Sequence, residues 1–194
     1  GLLLPLDHGD FRILQLLSGA VRKMSEGELL QIEKARSLNL DETVYFEIIR
    51  NKTASLLASS CAAGAYSSSG NEQLSEKMSR FGEAVGIAFQ IKDDLFDYGN
   101  EETGKPSGND LKEKKLTLPL IYTLNTAEKS LRRELIYIIK NQNRNPEKIK
   151  YVTGKVVEAG GIRYATEKMN QYRDEALTIL YEFEDSEVRK GLEE

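Results

Sequence analysis

The stretch Gly82-Glu83-Ala84-Val85-Gly86-Ile87-Ala88-Phe89-Gln90-Ile91-Lys92-Asp93-Asp94-Leu95-Phe96-Asp97 decides how the rest of the sequence is read. At 100° per residue, Gly82, Gly86, Gln90, Asp93 and Asp97 fall within an arc of roughly 80°. Val85, Ala88, Phe89, Ile91, Leu95 and Phe96 occupy most of the remaining circumference. A helix apolar on several sides is a buried helix, yet this one carries a polar stripe. The stripe's carboxylates lie about one turn, or ~6 Å, apart, with Asp94 at the edge. Burying like charges together is costly unless a cation compensates. Either the stripe faces water as ordinary helix-end acids, or something positive sits on it.

Working outward, apolar residues recur at intervals of three and four almost throughout, and the 194 residues include only 4 prolines. No run alternates strictly, so the pattern predicts an all-α fold. Helices are expected over residues 11–37, 41–66, 72–97, 116–125, 127–141, 146–158 and 162–183. The first has Asp10 placed to cap it and Leu14, Leu17, Val21 and Met24 at helical spacing. The last has a core stripe of Tyr164, Met169, Tyr172, Ala176 and Leu180. The small residues from Ala58 to Gly64 read as close helix packing in preference to a wall for a ligand. Residues 98–110 hold Gly99, Gly104, Pro106 and Gly108 and are expected to form a loop, of a length that is often functional.

Composition excludes several classes. Lys and Arg number 27 against 31 Asp and Glu, a net charge of −4, and the basic residues are scattered, which argues against nucleic acid as a partner. No window approaches the roughly 20 apolar residues of a membrane span. Cys61 and His8 are the only Cys and His, too few for a disulfide or a Cys/His zinc site, so a cytoplasmic location is the default. His8 reads as a turn histidine and Tyr98 as a packing residue.

Asp93, Asp94 and Asp97 are hard oxygen ligands with nothing softer nearby. They suit Mg²⁺, which keeps several waters and shares its coordination with phosphates. Downstream stand Lys105, Lys112, Lys114 and Lys115. Acids for a metal and lysines for phosphate are complementary halves of a metal-diphosphate site.

At this point the residues carry a family likeness. Gly86-Ile87-Ala88-Phe89-Gln90-Ile91-Lys92-Asp93-Asp94-Leu95-Phe96-Asp97-Tyr98, then Gly104-Lys105-Pro106-Ser107-Gly108-Asn109-Asp110-Leu111, then Lys115-Leu116-Thr117-Leu118-Pro119-Leu120, resemble the second aspartate-rich region of trans-isoprenyl diphosphate synthases. Lys52-Thr53-Ala54 resembles that family's Lys-Thr pair. Ser25-Glu26-Gly27-Glu28-Leu29-Leu30-Gln31 resembles its helix of the E-G-E type. The matches follow the family's order and cover nearly the whole chain, residues 1–194, as the C-terminal part of one polyprenyl synthetase domain.

The resemblance implies an all-helical bundle around a deep cavity, a homodimer, and Mg²⁺-dependent condensation of an allylic diphosphate with isopentenyl diphosphate. It makes Asp93, Asp94 and Asp97 metal ligands and assigns Asp93, Asp94 and Lys52 to catalysis. Lys52, Thr53, Gln90, Lys105 and Lys115 become groups around the allylic substrate, with the loop at Lys105 as a flap. Such chemistry needs no side-chain nucleophile. The family's first aspartate-rich motif lies upstream and has no counterpart here, since Asp93-Asp94 is the only adjacent Asp pair. The chain is therefore expected to be part of a longer synthase and inactive by itself. A non-catalytic partner subunit of a heteromeric synthase is the alternative. Keeping Asp93, Asp94, Asp97, Gln90, Lys52 and Lys115 together speaks against it. Glu26, Glu28 and Gln31 read as solvated or interface polar residues before any site role.

Overall fold

The structure, a computed structural model, describes residues 3–37, 41–99 and 108–193. Every regular element among them is helical. In chain order these are α1 (Leu3–Asp7), α2 (Phe11–Ser37), α3 (Glu42–Ile49), a π turn (Arg50–Ala54), α4 (Ser55–Ser69), α5 (Glu72–Phe96) and α6 (Asn109–Lys112). Then follow α7 (Leu118–Thr126), α8 (Lys129–Asn141), α9 (Pro146–Glu158), α10 (Gly161–Leu180) and α11 (Glu187–Glu193).

Local chemistry explains the boundaries. Asp10 Oδ1 accepts from Ile13 N at 3.0 Å and Asp41 Oδ1 from Val44 N at 2.9 Å, while Asn145 caps α9 through Glu147 N and Lys148 N. Each satisfies donors that the first helical turn leaves without partners. The helix expected over 41–66 is instead α3, the π turn and α4. A π turn adds one residue within a single turn while each flanking segment keeps its own helical spacing, so short-range periodicity does not separate them from one helix. The short α1, α6 and α11 fall outside the expected helices, α6 starting within the expected loop over 98–110, because each is too brief to establish a period.

The chain divides into two compact units. One comprises Gly1–Leu29, Glu47–Ala88 and Asn170–Glu194. Its core gathers Phe81, Ala84, Ala176, Ile179 and Leu180, with Cys61, Met78, Val85 and Leu177 packed against them. Ala58 and Ala62 on α4 are buried, and α5 comes close to that helix because Gly82 has no side chain. A Cβ at Gly82 would stand 2.6 Å from the carbonyl oxygen of Leu57. Gly82→Ala is expected to destabilise by about 1–3 kcal/mol through forced separation of the backbones, despite Ala's better helix propensity. Thermal unfolding of the variant reads this, and an unchanged Tm would refute it.

The other unit comprises Leu30–Phe46 and Phe89–Met169. Leu118, Leu120, Ile121, Leu135, Ile139, Val152, Val156 and Ala165 are buried in it. Tyr164 stacks on Tyr122 with ring centroids 4.3 Å apart and donates to Glu42 at 2.6 Å. This unit contains the aspartates of the polar stripe.

Candidate active site

The end of α5 presents its carboxylates to different surroundings. Asp94 is wholly buried, and four donors reach it. Tyr45 OH at 2.8 Å and Leu118 N at 3.3 Å donate to Oδ2. Lys115 Nζ at 3.0 Å and Gln90 Nε2 at 3.3 Å donate to Oδ1. Leu118 opens α7, whose preceding Thr117 makes no side-chain cap, so Asp94 supplies the anion that a helix N-terminus favours. Burial holds the Tyr45 hydroxyl well above its ordinary range, with Asp94 reinforcing it, and Tyr45 remains a donor. Asp94 is thus spent on joining α3, α5 and α7.

Asp93 and Asp97 face a different space. With Phe96, Asn109, Asp110 and Glu113 they line a cavity of about 200 Å³. Asp97 is 9% exposed, and its Oδ1 accepts from Asp110 N at 3.2 Å. Its Oδ2 is buried without a hydrogen-bond partner among the described residues. Burial raises the Asp97 carboxyl above its usual range, partly offset by the backbone amides of Asp110, Asn109 and Gly108 and by Lys115. An orphaned carboxylate oxygen in a cavity lined by further acids fits a hard cation. Among the described residues, no group of three or more His, Cys, Asp or Glu forms a ready metal cluster. A cation here would need waters or phosphate oxygens to complete its shell.

Asp110 is pushed up to about 6, by burial first, with Lys115 opposing and Asp97 and Asp94 adding to the rise. The folded value then exceeds the unfolded one near 4. The folded state holds that proton more tightly, so Asp110 lowers stability as pH climbs from about 4 to about 6, and its penalty is complete above that interval. Asp110→Asn is expected to gain on the parent across the interval in divalent-free buffer. Urea midpoints at about pH 4 and pH 7 test this, and a parent–variant difference that stays flat would refute it.

Lys115 bridges Asp94 and Asp110, at 3.0 and 3.3 Å. Burial alone would lower its ammonium's range, but Asp94 and Asp110 outweigh burial and raise it. Lys115 is therefore a partly buried cation paired to Asp110, which lines the acidic cavity. Tyr98 OH pairs with the buried Thr117 Oγ1 at 2.7 Å. Gln90 Nε2 reaches Asp93 Oδ2 at 3.5 Å as well as Asp94.

The sequence-predicted residues thus separate. Asp93, Asp97, Gln90 and Lys115 gather in one unit, with Asp94 turned inward behind them. Lys52 and Thr53 sit on the π turn of the other unit, where Lys52 Nζ lies 2.7 Å from Glu28 Oε2. Lys105 lies outside the described residues, as do Gly104 and Pro106. Sequence reading missed Tyr45, Asp110 and Glu113 as members of the site. Asp110 lies within the family-like segment Gly104–Leu111, which is the signal for it, whereas nothing local to Tyr45 points to a partner 49 positions away.

The sequence profile described as polyprenyl synthetase matches residues 2–156. The chain belongs to the polyprenyl synthetase family. Within this family, it is 33% identical over 140 residues to a short chain isoprenyl diphosphate synthase of Methanocaldococcus jannaschii, covering 71% of this chain and 42% of that one. It also resembles two solved structures. The geranylgeranyl pyrophosphate synthase of Bacteroides thetaiotaomicron aligns at 36% identity and a TM-score of 0.89, covering 99% of this chain and 64% of that one. The polyprenyl synthase of Caulobacter crescentus, complexed with calcium and isoprenyl diphosphate, aligns at 32% and 0.89, covering 98% and 58%. The all-helical architecture is that of these synthases. This polyprenyl synthetase chain spans about half the length of the curated relatives it matches, and no helix among its described residues is long and apolar enough to cross a membrane.

Proposed function

We propose that this chain contributes the second aspartate-rich half of a Mg²⁺-dependent trans-prenyltransferase, which joins isopentenyl diphosphate to an allylic diphosphate. The observation that carries the proposal is the buried Asp97 Oδ2, without a hydrogen-bond partner among the described residues, in a cavity shared with Asp93, Asp110 and Glu113, with the Lys115 ammonium paired to Asp110. Carboxylates with an unfilled lone pair beside a fixed ammonium suit a cation–diphosphate pair better than either ion alone.

In this reading Asp93 and Asp97 hold the cation, with Asp110 nearby, and Asp94 is an anchor in place of a third ligand. A bound Mg²⁺ would supply charge stabilisation for a departing diphosphate. Lys115, oriented by Asp94 and Asp110, would pair with the same oxygens where negative charge develops. Gln90, tied to Asp93 and Asp94, would lie along the substrate's path, and Lys52, Thr53 and Lys105 keep as proposals the diphosphate roles that the family resemblance gives them. The allylic C–O bond breaks as diphosphate leaves. The double bond of isopentenyl diphosphate then forms the new C–C bond, and a proton is lost to the released diphosphate. A homodimer and a cytoplasmic location belong to the same proposal.

The test is turnover. The whole gene product, given an allylic diphosphate, isopentenyl diphosphate and Mg²⁺, is expected to release diphosphate and a prenyl diphosphate one isoprene unit longer. The 194-residue chain by itself is expected to bind Mg²⁺–pyrophosphate without turnover. Absence of product from the whole gene product would overturn the assignment.

A further inference from the structure

The Glu26-Gly27-Glu28 segment of α2 is a motif that the proposed function leaves without a role. The structure brings it against the π turn that carries Lys52. A Cβ on Gly27, which is buried, would stand 2.7 Å from the backbone N of Lys52 and 3.0 Å from Asn51 Cβ. Only a residue with no side chain lets α2 approach the turn so closely. At the next residue, Glu28 Oε2 lies 2.7 Å from Lys52 Nζ. Two successive residues of α2 therefore hold one turn, the first by backbone contact and the second by charge.

Both side chains of the pair are about half exposed, 50% for Glu28 and 41% for Lys52. Ion pairs in such a setting contribute little to folding, so the pair's consequence lies in where the ammonium sits. A lysine has a flexible four-carbon stem, and an unrestrained ammonium samples many positions. Lys52 stands in a single π turn between two α-helices, and Glu28 restricts where its ammonium sits.

We propose that Glu28 is a positioning residue: its carboxylate holds the Lys52 ammonium, on the turn that Gly27 seats against α2, in the orientation from which Lys52 takes a diphosphate. This rests on the reading of Lys52 as a diphosphate-binding group and deepens it. Pre-set geometry reduces the ordering that a ligand must impose when it binds.

Two readouts test it on the 194-residue chain. Side-chain ¹³Cε relaxation of Lys52, assigned with Lys52→Arg, is expected to report a restrained ammonium in the parent. It should be loosened in Glu28→Ala and largely restored in Glu28→Gln, which keeps an acceptor oxygen. Titration with inorganic pyrophosphate and Mg²⁺ is expected to weaken roughly 3- to 10-fold in Glu28→Ala and to stay near the parent in Glu28→Gln. In a Lys52→Ala background, Glu28→Ala should add nothing further. The proposal is overturned if Glu28→Ala leaves Lys52 relaxation unchanged, if both Glu28 variants bind pyrophosphate more tightly, or if the loss persists in full without Lys52. A parent that binds no pyrophosphate, with Lys52 still freed in Glu28→Ala, would defeat the diphosphate reading alone and support the restraint by Glu28.

Discussion

Asp94→Ala is expected to destabilise the protein by about 3–5 kcal/mol, the range for removing one member of a buried charge pair. The substitution strips acceptors from four donors at once: Tyr45 OH, Leu118 N, Lys115 Nζ and Gln90 Nε2. Tyr45 and Leu118 are themselves buried, so water does not readily replace the lost oxygen. For a chain of this size each kcal/mol moves Tm by roughly 2–4 °C, which puts the expected fall at roughly 6–20 °C. Calorimetry or thermal circular dichroism measures it. If Asp94 were instead a metal ligand with little structural duty, the variant would melt within about 2 °C of the parent without divalent cation, and the anchoring role would be refuted.

Asp93→Ala, one residue away, has the opposite expected profile. Asp93 is partly exposed beside the acidic cavity, so truncating it is expected to cost much less stability than Asp94→Ala, about 1 kcal/mol or less. Its cost should fall on binding and turnover. Loss of a cation ligand is expected to lower turnover of the whole gene product on the order of 10²-fold or more, because stabilisation of the departing diphosphate is lost where its charge develops. Mg²⁺-dependent pyrophosphate binding by the chain should weaken in parallel. Steady-state rates and calorimetric titration, set beside the melting curves, separate the two aspartates. Full turnover by Asp93→Ala would remove Asp93 from the proposed machinery. Equal melting losses for Asp93→Ala and Asp94→Ala would show that the two carboxylates do not differ in role.

The sequence by itself determined the helical class, most helix ends, and the polar stripe on α5, because these follow from spacings within one turn and from caps within three residues. Asp10 and Asp41 cap the helices that their positions suggest, and the order of the quoted motifs already pointed to the family. The tertiary structure decided the rest. Helical periodicity puts Asp94 at the edge of the stripe but does not say what faces that edge. Tyr45 and Lys115, separated from Asp94 by 49 and 21 positions, turn it from a surface acid into a buried anchor. The π turn at Arg50–Ala54 lies between two segments of helical apolar spacing, and the contact of Gly27 with that turn exists only once α2 packs there. Asp110 joins the acidic cavity through its backbone bond to Asp97, 13 positions earlier. In each case the deciding partner is distant in the chain, so it is packing, which local spacing does not encode, that assigns the side chain its role.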